Sequence, residues 1–170
     1  MSDLSLTNHM INFRASILIP GLDKLAAIDG PPRTTPAETI MLTIAAQESG
    51  FASRYQKLTG DTPGPARGWW QFEQKGGVQG VMHHSATQMA AAAICITYAV
   101  AFQSGAIWRA LEGHDGLATA FARLLLFTDP QPLPTTPDAA WNYYLRNWRP
   151  GKPHRATWAA NWDAAIAATT

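Results

Sequence analysis

Two glutamates, a glutamine and a pair of tryptophans carry the chemistry that can be read from this chain. The first glutamate, Glu48, closes the run Thr-Pro-Ala-Glu-Thr-Ile-Met-Leu-Thr-Ile-Ala-Ala-Gln-Glu-Ser-Gly-Phe from Thr35 to Phe51. Ile40, Met41, Ile44 and Glu48 fall at i, i+1, i+4 and i+8, so one helix face holds three large apolar residues and a carboxylate. A carboxylate on a core-facing stripe is expensive unless it is paired, hydrogen-bonded or kept protonated. Held protonated, it is a general acid suited to protonating a leaving oxygen. The plainer alternative is a helix-end glutamate that reaches water or a neighbouring Arg54 or Arg67.

Gly68-Trp69-Trp70-Gln71-Phe72-Glu73 tips that balance toward chemistry. A glycine beside two indoles gives backbone access next to flat apolar surfaces, which suits sugar rings. Gln71 offers an amide that both donates and accepts, matched to hydroxyl or acetamido groups. Glu73 supplies the second carboxylate that most glycoside hydrolysis requires. The bland reading of the same residues is a tryptophan-rich hairpin packed on the core, with Glu73 in water.

Other groups carry weaker signals. Ser49 lacks a Gly-x-Ser-x-Gly context, which argues against a serine hydrolase. His83-His84 and His114-Asp115 have neither a Cys partner nor HExxH-type spacing, so no metal is expected. His84 is read as fixing a helix entry. Cys95, between Ile94 and Ile96, is the sole cysteine and reads as a small buried hydrophobe. Trp141, Tyr143, Tyr144 and Trp148 are core by spacing, with Tyr143, Tyr144 and Tyr55 as candidates for the border of a cleft. The aromatic and basic stretch from Asn147 to His154 either touches an anionic peptide or caps the fold.

These residues need elements to hold them. With 170 residues, 46% apolar and 15% charged, and seven tryptophans, the chain suits a single domain spanning 1–170 with a sizeable core. A net charge of +1 without a basic run argues against nucleic acid as the partner. No basic n-region precedes an apolar run near Met1, so a cytoplasmic product without a signal peptide is expected. Met89 to Phe102 is too short and too alanine-rich to span a bilayer, which argues against membrane insertion.

In chain order, Leu4 to Ile28 predicts a helix broken at Pro20-Gly21. Thr35 is expected to cap the next helix, with Pro36 at its first position and Glu38 closing a capping box. Phe51 to His84 shows no sustained periodicity, and its length suggests function, with short strands expected around Gly68 to Phe72. Ser85 and Gln88 predict a second capping box, opening a helix to about Gln103 that is apolar nearly all round. Such a helix is expected to be buried at the centre of the domain. Helices over Asp115–Phe127, from Thr136-Pro137 through Trp148, and around Trp158, Trp162 and Ile166 complete the set. The expected fold is mainly α, with a buried central helix and a small irregular, β-containing lobe.

Glu48-Ser49-Gly50-Phe51 followed by Gly68-Trp69-Trp70-Gln71-Phe72 resembles the lysozyme-like superfamily, especially lytic transglycosylases and goose-type lysozymes. The likeness is specific from about Ile40 to Glu73 and loose elsewhere. It implies a lysozyme-like domain with Glu48 as catalytic acid, and with Gly68 and Gln71 lining a glycan cleft. Glu73 matches the acidic residue that goose-type enzymes carry two positions after the glutamine. Ser49, Tyr55, Trp69 and Trp70 are the further substrate-binding candidates. Trp69-Trp70 stand where the family usually has Leu-Met, and the Ala-Tyr-Asn segment of lytic transglycosylases is absent.

The activity so implied is cleavage of the β-1,4 bond between aminosugars of peptidoglycan, by hydrolysis or by anhydro-forming transglycosylation. No metal or organic cofactor is needed for it. The resemblance also points to a monomeric phage or prophage product, acting on the cell wall after release or as part of a particle. Alternatives are a noncatalytic wall-binding or virion module using Trp69 and Trp70, and a chitinase-like hydrolase.

Overall fold

A computed structural model describes residues 3–59 and 62–170, and its elements are mainly helical with one small sheet. Helix α1 (Asp3–Phe13) continues through a widened turn at Arg14–Leu18 straight into α2 (Ile19–Ala26). The expected break at Pro20-Gly21 does not occur. Pro20 lies in the first turn of α2, directly after the π-type turn, where its missing N–H interrupts no regular ladder.

Helix α3 (Thr35–Ser49) starts one residue earlier than expected. Thr34, extended at φ −141°, is the cap, and its side chain accepts from the Ala37 N–H at 3.3 Å. Glu38 therefore closes no capping box. Its carboxylate is buried and held by Arg14 and Arg33. Residues Ala37 to Ala46 are all buried, so α3 is enclosed on every side.

Between α3 and the remaining helices lies a three-stranded antiparallel sheet in the order β1 (Tyr55–Lys57), β2 (Pro63–Arg67), β3 (Phe72–Glu73). Tyr55 pairs with Arg67, and Arg67 with Phe72. The strand expected around Gly68 to Phe72 is mostly a turn: Gly68 to Gln71 joins β2 to β3, with positive φ at both ends. A second π-type turn (Gln74–Val78) leads into the short α4 (Gln79–His83).

The expected central helix is the main correction to the fold. Helix α5 covers only Gln88–Thr97, and Ser85 does not cap it; Thr87 precedes it without a side-chain cap bond. Ala91, Ile94 and Cys95 are buried, while Met89 and Ile96 are 78% and 80% exposed. Alanine makes a segment read as apolar all round even when only one stripe finds partners. A left-handed Ala99 (φ 52°) ends the segment, and α6 (Ser104–Gly113), with Ile107 and Leu111 buried, follows without having been expected. The helix buried alongside α3 is α7 (Asp115–Phe127), whose Leu117 to Leu126 are all buried.

Helix α8 (Pro137–Trp148) begins as expected: Thr136 accepts from the Ala139 N–H, and Pro137 opens the first turn. Helix α9 (Arg155–Thr169) turns Trp158 and Trp162 inward, but Ile166 is 43% exposed, and Ala165, Ala168 and Thr169 complete its buried face. Cys95 is fully buried, which pushes its thiol up to about 11 and fits a packing role. One contiguous core draws on all of these helices, with Trp70, Trp158 and Phe121 among its largest buried side chains. Among the described residues, no helix is long and apolar enough to cross a membrane.

Candidate active site

Glu48 sits where α3 passes from core to surface. Ala46 is the last buried residue of the helix, and Gly50, left-handed at φ 55°, returns its N–H to the Ala46 carbonyl. Phe51 then turns into the core against Phe13. This leaves Glu48 half-buried at the mouth of a cleft of about 1170 Å3.

Neither arginine considered as its partner is available. Arg54 makes two 2.8 Å hydrogen bonds to Asp115, and Arg67 pairs with Glu112 at 2.8 Å. The partner is Tyr144 on α8, whose hydroxyl donates to Glu48 Oε1 at 2.7 Å. Burial pushes the Glu48 carboxyl up to about 7; the Tyr144 hydrogen bond pulls it down, and the negative charge of Glu73 raises it further. Burial also raises the Tyr144 hydroxyl, with the neighbouring Glu48 adding to the effect, so the phenol stays a donor.

One wall of the cleft is the β2–β3 turn and its continuation, presenting Gln71, Phe72, Glu73 and the Gly76–Gly80 segment. The other is α8 and the loop after it, presenting Tyr144, Asn147, Trp148 and Arg149. Lys75, Arg146, Lys152 and His154 add basic groups to its lining. Glu48, Gln71 and Glu73 are thus brought into one opening from two separate elements. Gln71, at φ 50°, gives both its backbone N–H and its Nε2 to the Gly68 carbonyl, at 3.1 and 2.8 Å. That bond uses one of the two Nε2 donors and holds the amide in place, leaving the amide oxygen and the second N–H for a ligand.

The other expected contacts lie elsewhere. Ser49 donates to the Ala45 carbonyl at 2.9 Å and accepts from the Phe51 N–H, finishing α3 rather than facing the cleft. Tyr55 lies in β1, outside the lining. Gly68 is buried at φ 74°, where an added Cβ would fall 2.9 Å from the Leu111 carbonyl oxygen. Trp69 gives its indole N–H to Asp115 at 2.9 Å and lies under the Arg54 guanidinium, 4.3 Å from the ring centroid. Trp70 is fully buried, with its N–H on the Met41 carbonyl of α3 at 2.9 Å.

Ser49, Tyr55, Gly68, Trp69 and Trp70 are therefore corrected from cleft-lining to structural positions. Ser49 is used to end α3, and Tyr55 lies on β1. At the tight turn with positive φ at Gly68 and Gln71, the indoles bond Asp115 and Met41 and Gln71 reaches the cleft.

Trp148 is the tryptophan among the residues that line the cleft, beside Phe72 and Tyr144. Its indole N–H bonds the Trp70 carbonyl at 2.9 Å, which ties the second wall to the first. Spacing with Trp141 and Tyr143 predicts a core position for it, and the structure places it half-buried in the cleft wall instead. A usable signal was present: Tyr144 and Trp148 are i and i+4 on one helix, so they share a face. His84 also lines the cleft, and its Nδ1 accepts from the Ala86 N–H at 3.2 Å, fixing the turn before α5. No group of three or more His, Cys, Asp or Glu among the described residues is placed to hold a metal ion.

Taken together, the opening holds a carboxyl whose pKa is raised to about 7, a second carboxylate close enough to act on it, an amide and an indole. Such a set can protonate a leaving oxygen and stabilise positive charge developing beside it. Family models, curated proteins and solved structures give no match to this chain.

Proposed function

We propose that the chain is a lysozyme-like glycosidase that cleaves the β-1,4 bond between N-acetylmuramic acid and N-acetylglucosamine in peptidoglycan. The observation that carries the reading is Glu48: a carboxyl raised to about 7, without a cationic partner among the described residues, lining a large open cleft with Glu73.

In this mechanism Tyr144 fixes Oε1 of Glu48, so the proton resides on Oε2 and is delivered to the glycosidic oxygen. The bond from the anomeric carbon to that oxygen breaks, and oxocarbenium-like charge develops in the cleft that Glu73 also lines. The cation is then captured on one of two routes. Glu73 positions a water, which yields a hydrolysed sugar, or the substrate's own hydroxyl attacks and yields a 1,6-anhydro sugar. Glu48, now ionised, is reprotonated from the attacking group or from solvent. Positioned acid catalysis of this kind contributes about 10²- to 10⁴-fold.

The noncatalytic wall-binding reading drew on Trp69 and Trp70 as sugar platforms, and both are turned away from the cleft. Mass spectrometry of purified peptidoglycan incubated with the protein tests the proposal. Soluble muropeptides with reducing or anhydro ends are expected, and intact glycan that sediments with bound protein would sink it.

A further inference from the structure

Arg123 is the least expected side chain in the molecule. It lies in the middle of α7, 5% exposed, with apolar neighbours on either side in sequence. Its Nε has no hydrogen-bond partner, and its guanidinium joins no ion pair among the described residues. Burial works against its charge, and the nearby Tyr143 offsets this only in part. The Phe127 ring, centred 5.6 Å from the guanidinium carbon, is its other neighbour.

Asp129, whose carboxylate shares a cavity lining with Arg123, is already engaged. It accepts from Arg146, Asn147 and the Gln131 N–H, and so is not the counter-ion of Arg123. A buried guanidinium left without an acceptor is costly, and its planar fork of donors matches a carboxylate.

Arg123 lines a second cavity of about 430 Å3 whose other walls include Leu126, Phe127, Pro132 and Leu133. His84 and Thr128 line both this cavity and the main cleft, so the two adjoin. The lining also includes Asp129, whose charge is met by Arg146, so a largely apolar chamber with one unpaired guanidinium suits a short apolar group that ends in a carboxylate. The peptides attached to peptidoglycan sugars carry free carboxylates next to small apolar side chains. We infer that the Arg123 cavity is a subsite for a carboxylate of the peptide stem, received beside the glycan cleft. The identity of the ligand as a stem peptide rests on the peptidoglycan reading above.

The test uses calorimetric titration of the full chain with a short alanine-terminated stem peptide, its fully amidated form, and inorganic phosphate. The free acid is expected to bind at least tenfold more tightly than the amide, and more tightly than phosphate. Arg123→Met, which keeps the side chain's bulk, should bind the acid no better than wild type binds the amide, and Arg123→Lys should recover part of the difference. Equal binding of acid and amide by wild type, or no binding of either, overturns the inference whether or not the variants fold. Phosphate that binds as tightly as the peptide overturns it too, leaving a general anion site. The titration contains no glycan and no turnover. A chain that prefers the acid but leaves peptidoglycan intact therefore fails the glycosidase reading alone, and one that cleaves glycan without that preference fails this inference alone.

Discussion

The Tyr144 hydroxyl donates to Glu48 Oε1 across 2.7 Å, joining the last turn of α3 to a helix 96 residues further along the chain. Contrast with Glu38 on the same helix shows what this contact does. Glu38, more deeply buried than Glu48, is held by two arginines, Arg14 and Arg33. Glu48 has a neutral donor instead, so burial dominates and its carboxyl rises to about 7. One helix thus carries an arginine-paired carboxyl near its start and a carboxyl of raised pKa at its end.

Removing the hydroxyl tests that balance. The hydrogen bond favours the ionised carboxylate, so Tyr144→Phe should raise the Glu48 pKa further. Activity that depends on protonated Glu48 falls as pH rises through about 7, and in Tyr144→Phe this limb should move to higher pH. A pH profile of kcat/KM on soluble glycan reads the shift.

Glu73→Gln should move the same limb the other way. The charge of Glu73 raises the Glu48 pKa, and the amide removes that charge while keeping the shape. The opposite signs of the two variants are the diagnostic. The products of Glu73→Gln also report on the second step: loss of reducing ends with anhydro ends retained identifies Glu73 as the group that positions water.

Stability gives an independent readout of the same carboxyl. Its folded pKa, about 7, lies above the ordinary 4.5, so the folded state binds the extra proton. The resulting stabilisation is complete below about pH 4.5 and is lost as pH rises through about 7. Glu48→Gln should abolish this dependence. The variant is expected to exceed wild type in stability at pH 8 by on the order of 2 kcal/mol, measured by urea unfolding. A gain in stability alongside a loss of activity is the mark of a group held against its preferred ionisation.

Much of this site was legible from local spacing. Glu48 was found because i, i+4 and i+8 placed it on an apolar stripe, and Gln71 and Glu73 because they follow an aromatic turn. The direction of that turn was not legible. Two adjacent indoles read equally well as a sugar platform or as core, and the choice was made by Met41 and Asp115, which accept their N–H groups from distant elements. Tyr144 was legible only as a candidate, since its contact with Glu48 spans most of the chain. The identity of the central helix was missed because alanine-rich Met89–Phe102 has uniform hydropathy, whereas the threonines of α3 hid its enclosure. Thr39 and Thr43 each return a hydroxyl to a carbonyl four residues back and so bury without an unpaired group.

Gly68 provides the sharpest test of the corrected turn. If it lined the glycan cleft, alanine there would act mainly on KM. In the observed fold an added Cβ meets the Leu111 carbonyl oxygen at 2.9 Å, in a backbone conformation with φ 74° that disfavours L side chains. Gly68→Ala is therefore expected to lower stability by about 2–3 kcal/mol, seen as a drop in Tm, with KM of the folded fraction unchanged.

The central claim is that the Glu48 proton breaks a glycan bond. Its most direct test is the release of soluble muropeptides from purified peptidoglycan by wild type and Glu48→Gln, quantified by mass spectrometry at pH 6 with folding checked by circular dichroism. The expected result is release by wild type and a loss of at least about 10²-fold in a fully folded Glu48→Gln. Release by the folded variant at the wild-type rate would contradict the claim.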